Sequence, residues 1–438
     1  MPFVDLDTTA IARSLSQIAD REGDLADAYF ERREEVELPA DDDPPGIRVW
    51  RDEGFAIRLL RGGNTWLATR DQIDRSLFAE SLRQVARVMP AAPYPQPALR
   101  IGAFPPTDIP RQLLRFPQSI TREIRRRLAG FPMRLQVRLH RRWVRVVGTQ
   151  LAPEQQEEEF FSLQADMPWG QYGALLPQLD AQAIEEVASS LMLLFKAREA
   201  VAVEAGHWPV VLGPSACAVF LHEVVAHALE TDTLVLGGRI GAARGVRIGS
   251  ELLNVLDDPT GGPERVRRST DDEGMMVVRR WLLRNGEVEQ PLADLFSAQH
   301  SKDLIPGAGR RSHRHLPPVP RSSHLELLPG DSSFDDLVAD IDEGLFLPEV
   351  AHGSIDPLTG RLSLRVPCGL RIRNGEIREI VGPCRLTGQL SDLLSSVTGV
   401  GSEVVPATGA GWCAKGGVKL PVWATAPAMR LENIEVAS

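Results

Sequence analysis

The chain has 438 residues, 43% of them hydrophobic and 25% charged. Such a chain is long enough for two or three packed domains, and its composition excludes a mostly disordered protein. Acidic residues outnumber basic ones, 59 to 49, and the resulting charge of −10 argues against a general binder of nucleic acid or anionic membrane.

At the N-terminus Asp5 and Asp7 stand where a secretory leader would be basic, so a cytoplasmic setting is expected. No apolar run approaches the ~18 residues of a membrane-spanning helix. Residues 9–36 read as a helix, with Ile11, Leu15, Ile18, Leu25 and Tyr29 at helical spacing. An acidic, proline-bearing break at 37–46 precedes short β-like runs with turn signals at Glu53-Gly54 and Gly62-Gly63-Asn64. Residues 71–88 predict a helix, and the proline-rich stretch 89–110 an extended loop. A basic helix at 118–128 leads to 133–146, which alternates as a half-buried strand does. Arg134, Arg138, Arg141, Arg142 and Arg145 make this the most basic segment. A solvated strand face is the ordinary account of it, and no RNP or helix-turn-helix pattern supports a nucleic-acid surface. A long amphipathic helix at 178–203 precedes the apolar strand Val210-Val211-Leu212, and a domain boundary is placed near 205.

The second half is rich in glycine and short strands. Two hairpins share an Asn-Gly turn, Asn285-Gly286 and Asn374-Gly375, which favours the two-residue type I′ connection. Helices are expected only at 214–231 and 333–344. The four cysteines, Cys217, Cys368, Cys384 and Cys413, form no CxxC pair and no dense framework, so reduced thiols are expected. The predicted class is α+β. A mixed α/β domain (1–205) is followed by a mainly antiparallel β domain (206–438) entered by one chemically notable helix.

That helix lies in GPSACAVFLHEVVAHALETD (213–232). Pro214 suits a first turn, Ala216, Val219, Phe220 and Val224 form an apolar face, and His222, Glu223 and His227 follow. Two imidazoles and a carboxylate on one buried helix are the parts of a zinc peptidase. The histidines stand at i and i+5 rather than i and i+4. Five steps of about 100° leave the rings about 140° apart on an ideal helix, too far to share an ion. Either the helix is widened locally by a π-bulge, or the histidines do unrelated work in the core. The best third ligand is Cys413, in the glycine-rich segment 409–417, with Lys415 two residues on to favour the thiolate. A glycine-rich turn with an inert cysteine is the competing account. A phosphate loop does not fit, because Lys415 is not followed by Ser or Thr.

HEVVAHALETD (222–232) resembles the HExxxH motif of the TldD branch of the TldD/PmbA metallopeptidases, and 409–436 resembles that family's C-terminal glycine–cysteine–lysine segment. Other blocks occur in the family's order: Asp271-Asp272-Glu273-Gly274, Gly309-Arg310-Arg311, His315-Leu316-Pro317, Pro320-Arg321, Leu328-Pro329-Gly330 and Gly353-Ser354-Ile355-Asp356. The resemblance implies zinc held by His222, His227 and Cys413, with Glu223 as general base in the hydrolysis of unstructured peptides. It also implies a dimer enclosing the active site, either a homodimer or a heterodimer with a TldE/PmbA-like paralogue; the net charge and the lack of a long apolar run argue for no nucleic-acid and no membrane partner. Ala226, Ala228, Thr231, Trp412, Ala414 and Ser322-Ser323-His324 depart from the usual pattern without removing a ligand. Those departures keep a biosynthetic metalloenzyme acting on a modified peptide or small molecule in view, and a catalytically silent partner subunit is a further alternative. Glu230 is a candidate to orient a ligand ring, and Asp232 a weaker one. His313, His315, His324 and His352 are candidates for substrate or oxyanion contacts, weighed against exposed loop histidines.

Overall fold

The helix expected over 9–36 divides in two. In the computed structural model, which describes residues 6–38, 47–86, 109, 111–127, 132–149, 154–235, 244–356, 358–406 and 410–437, helix α1 covers only Thr8–Ile18. Gly23, at φ 84°, turns the chain into strand β1 (Leu25–Leu38). Ile11, Leu15 and Ile18 are buried as the helical spacing requires. Leu25 and Tyr29 continued that spacing by coincidence. β1 is hydrogen-bonded on both sides, to β2 (Arg48–Arg61) and to β4 (Arg134–Gly148), so tertiary pairing overrides the local pattern.

With β3 (Asn64–Arg70), β5 (Glu154–Met167) and β6 (Gly170–Leu176) these strands form a six-stranded sheet, ordered β3-β2-β1-β4-β5-β6. Helices α1 and α2 (Arg75–Ala86) cover one end of one face, packing on Ala26, Ala28, Phe30 and Phe55. Helices α3 (Arg111–Arg127) and α4 (Ala181–Ala197) cover the other end, packing on Val36, Leu139 and Leu163. The Gly62-Gly63 turn forms as expected, with both residues at positive φ. Glu53-Gly54, by contrast, lies inside β2. A Cβ on Gly54 would stand 2.4 Å from Nε of Arg314, so this glycine serves a close approach rather than a turn. Apart from Ile109 the expected loop at 89–110 lies outside the described residues, as does 39–46.

The opposite face of the sheet meets the second half of the chain through buried charge. Arg58 joins Asp27 and Glu273 at 2.6 Å, and Arg142 reaches Glu31, Glu158 and Asp272 at 3.1 Å. Arg311 stacks over the Tyr29 ring at 4.4 Å. The middle of the basic segment is therefore not a solvated face, although Arg134 is exposed: Arg142 is largely buried and Arg141 is paired with Glu34 and Glu159. The Asp271-Asp272-Glu273 block and Arg311 are the partners that clamp the two halves together. A buried charge with its partner removed is strongly destabilising, which explains why these groups occur as a set.

Strand β7 (Gly206–Leu212) opens the second half, where sheets of seven and nine strands share one apolar core with the helix α5 (Pro214–Leu221). Named strand pairs are antiparallel except β7 with Glu343–Leu347 and His324–Leu327 with Val418–Ala426. Asn285-Gly286 and Asn374-Gly375 each have two positive φ values, as the I′ turn demands. The helix expected at 333–344 is confined to Phe334–Val338 behind a Ser333–Asp336 capping box. Short helices at Leu295–His300 and Leu390–Ser395 were not foreseen, being too short to show a period. No helix among the described residues is long and apolar enough to cross a membrane.

Candidate metal centre

α5 starts on Gly213 with Pro214 in its first turn, and its buried residues bind it between the two sheets. It then widens. Residues His222–Ala226 form a π-helical segment, in which the His227 N–H donates to the His222 carbonyl five residues back. The extra residue in the turn closes the 140° gap of a regular helix and turns both imidazoles to one side. Their centroids are 4.5 Å apart, at 65° to each other. A single 3-10 turn (His227–Leu229) follows, and Glu230 leaves the helix with an extended backbone.

Cys413 arrives from a hairpin, Gly411–Lys415 paired with Val418–Ala426 through the positive-φ turn Gly416-Gly417. Alternation along the strand sends Cys413 and Lys415 to one face and Trp412 to the other. Trp412 packs on His140 and Phe160, centroids 5.6 and 5.7 Å away, and ties the hairpin to β4 and β5. Cys413 Sγ lies 3.5 Å from His227 Nε2. One ligand atom each from His222, His227 and Cys413 fall within 4.8 Å of one another, and all three residues are buried.

The surroundings fit a cation at this point. Both ring nitrogens of His222 are buried with no hydrogen-bond partner among the described residues, an arrangement that needs an explanation. Burial, with His227 beside it, pulls His222 down to about 3, so it presents a neutral imidazole. Burial also opposes a charge on His227, but Glu230 outweighs it and pushes the ring up to about 10. Glu230 Oε2 lies 2.9 Å from His227 Nδ1 and holds a proton there, so an ion bound at Nε2 would displace only the Nε2 proton. Glu230 is fully buried. Burial raises its pKa, yet the charges of His227, Arg321 and Lys415 prevail and hold it well below the carboxylate range.

Lys415 Nζ stands 2.6 Å from Glu230, 3.0 Å from Asp232 and 2.6 Å from Thr233 Oγ1. Its ammonium thus serves Glu230, not the thiolate it was expected to favour. Asp232 also accepts from Arg321 at 2.9 Å, so it belongs to the charge network behind the histidine.

Glu223 lies on the π segment, buried, and burial raises its pKa. It packs under strand His352–Ile355, where Gly353 permits close approach: a Cβ there would be 2.6 Å from Glu223 Cγ and 2.9 Å from Oε1. Gly353→Ala is therefore expected to displace the carboxylate and lower any Glu223-dependent turnover about 100-fold while metal binding by His222, His227 and Cys413 stays unchanged. Parallel kcat and metal assays check this. Loss of the metal, or unchanged turnover, would contradict the packing.

The cluster opens into a cavity of about 1010 Å³, lined also by Arg33, Arg138, Tyr172, His313, His352 and Trp412. Three of the four other candidate histidines have separate partners. His313 pairs with Asp52 at 3.0 Å, and His315 with Thr69 and Asp71 at 2.9 and 2.8 Å. His324 is buried, 2.9 Å from Thr425 Oγ1. Of the four, His313 and His352 reach the cavity.

A helix-borne pair of imidazoles, a cysteine from a distant hairpin, a carboxylate beside them and a cavity in front make up a candidate metal centre. Residues 205–438 match the model of the PmbA/TldA metallopeptidase C-terminal domain, and the chain belongs to the TldD/PmbA family. A metalloprotease of Methanothermobacter thermautotrophicus is 34% identical over 236 residues, 53% of this chain and 50% of that protein. A metalloprotease TldD homologue of Haemophilus influenzae is 32% identical over 243 residues, 54% of this chain and 49% of its own. A zinc metalloprotease TldD homologue of Saccharolobus solfataricus is 27% identical over 235 residues, 53% and 52%. The chain thus spans about half the length of these curated relatives. In fold it is similar to TldE from Thermococcus kodakarensis, with TM-score 0.74, 18% identity and coverage of 98% of this chain and 100% of that one. A putative modulator of a DNA gyrase from Thermotoga maritima is equally similar, with TM-score 0.74, 18% identity and coverage of 98% and 99%.

Proposed function

We propose that this chain is a zinc-dependent peptidase acting on unstructured peptides. The observation that carries the reading is the convergence of His222, His227 and Cys413 donor atoms within 4.8 Å, beside Glu223 and facing the cavity. Two imidazoles and one thiolate are a donor set that suits zinc and leaves a coordination position for substrate or water. When bound, the ion supplies Lewis acidity toward the scissile carbonyl and acidifies water.

The protein's own groups do the rest. Glu223 accepts the proton of the attacking water and returns it to the leaving amine, a role suited to a buried carboxylate of raised basicity. Glu230 fixes the tautomer of His227, and Lys415 and Arg321 balance the charge of Glu230. A cavity of this size admits an extended segment of chain but not a folded domain, which supports unstructured peptides as the substrate class.

The reading includes a division into domains 1–205 and 206–438, a cytoplasmic setting, and a dimer with a second copy or a TldE/PmbA-like paralogue. The TldE-like fold supports such a partnership. An intact donor set favours a catalytic over a silent subunit. The zinc-loaded protein is expected to cleave unstructured peptides, to lose that activity in a strong chelator and to regain it with zinc. Absence of cleavage by the zinc-loaded chain, alone and with its paralogue, would sink the peptidase reading.

A further inference from the structure

The cavity contains a second carboxylate that the proposed hydrolysis does not use. Glu349 lies on the connection between strands Glu343–Leu347 and His352–Ile355, the latter being the strand packed on Glu223. Its Oε1 takes the hydroxyl of Ser190 on α4, and Ser190 also interacts with Tyr172 of β6, whose ring lines the same cavity. No Lys, Arg or His forms an ion pair with Glu349 among the described residues. The lysines and arginines that line the cavity lie on other groups: Arg33 on Glu31, Arg138 on Glu37, Lys415 on Glu230, and Lys419 over the Trp412 ring at 4.8 Å. Burial raises the Glu349 pKa, and no positive group opposes it. A largely buried carboxylate on a ligand cavity, hydrogen-bonded on one oxygen and lacking a counter-charge, is a recognition element for a cation that comes with the ligand.

We infer that Glu349 is a specificity-determining residue that binds an ammonium group of the peptide substrate, either its N-terminal amine or a lysine side chain. This rests on the peptidase reading for its substrate class. Glu349 and Gly353 are four positions apart, a span of at most about 14 Å, so the recognised ammonium lies within about five residues of the cleaved bond. If that ammonium is the N-terminus, the chain releases short units from the peptide's amino end.

The test measures binding by calorimetry to the zinc-loaded full chain carrying Glu223→Gln, which keeps the three metal-site side chains and blocks turnover. One unstructured peptide is offered in three forms: unmodified, N-acetylated, and with its lysine replaced by norleucine. Removing the recognised ammonium is expected to weaken binding about tenfold or more, and adding Glu349→Gln is expected to abolish that difference. Whichever altered peptide binds weakly identifies the source of the ammonium. Ser190→Ala, which removes the donor to Glu349 without touching the carboxylate, is expected to reduce the discrimination and serves if Glu349→Gln fails to fold. Equal affinity for all three peptides, a difference that survives Glu349→Gln, or no peptide binding overturns the inference. Discrimination without hydrolysis by the wild-type chain would uphold Glu349 and discard the peptidase reading. Hydrolysis without discrimination would do the reverse.

Discussion

Cys413→Ala is expected to abolish stoichiometric zinc binding. The wild-type chain should carry about one zinc, and the variant should bind it more than about 100-fold more weakly, since even partners behind the ligands are worth 10–100-fold in affinity. The reason is geometric. His222 and His227 sit on one turn of helix, so without Sγ the ion has donors on one side only. Cys217→Ala is the control: that thiol is buried in the apolar core around α5, burial pushes it above the usual thiol range, and its loss should leave the metal in place. Glu230→Gln should fall between the two, with a loss of about 10–100-fold, because the glutamine still reaches His227 but no longer supplies the charge. Metal analysis after dialysis against a competing chelator gives all three numbers. A Cys413→Ala chain that retains one zinc would remove the cysteine from the site and with it the joining of two segments 186 residues apart.

Glu223→Gln is expected to lower kcat about 100- to 10,000-fold while zinc content and melting temperature stay near wild type. The substitution keeps the volume of the side chain under Gly353, so it tests proton transfer rather than packing. It also leaves His222, His227 and Cys413 untouched, so a fall in kcat with metal retained separates the base from the ligands. A variant with undiminished kcat would assign the proton to another group, and His352 on the same cavity wall would be the next to replace.

Much of the site was legible in the amino-acid order because its chemistry is local. His222, Glu223 and His227 lie within six residues, and the arithmetic of an ideal helix showed that two histidines at i and i+5 cannot meet unless the helix widens. The fold provides that widening as a π turn. Cys413 was singled out by its glycine setting, and the hairpin at Gly416-Gly417 follows directly from two glycines that adopt positive φ without strain. The Asn-Gly turns were readable for the same reason, since their constraint is confined to two residues. Other features escaped. Lys415 was assigned to the thiolate by proximity in sequence, whereas strand alternation and the position of Glu230 give its ammonium to a carboxylate. Glu349, Ser190 and Tyr172 come from three separate elements, and no spacing relates them.

What the order of residues determined by itself was whatever depends on neighbours within a turn or two: the period of α1, the hairpin turns, the histidine spacing and its demand for a distorted helix. Only the tertiary structure decided the rest. It made Leu25–Leu38 the centre of a sheet rather than the end of a helix, because pairing on both edges outweighs a helical period. It turned the arginines of β4 and the acidic block at 271–273 into one buried junction, because charges can leave water only in the company of their partners. It brought Cys413 to His227 across 186 residues, because the hairpin that carries the thiol is held by its pairing in the seven-stranded sheet and by Trp412 against β4 and β5.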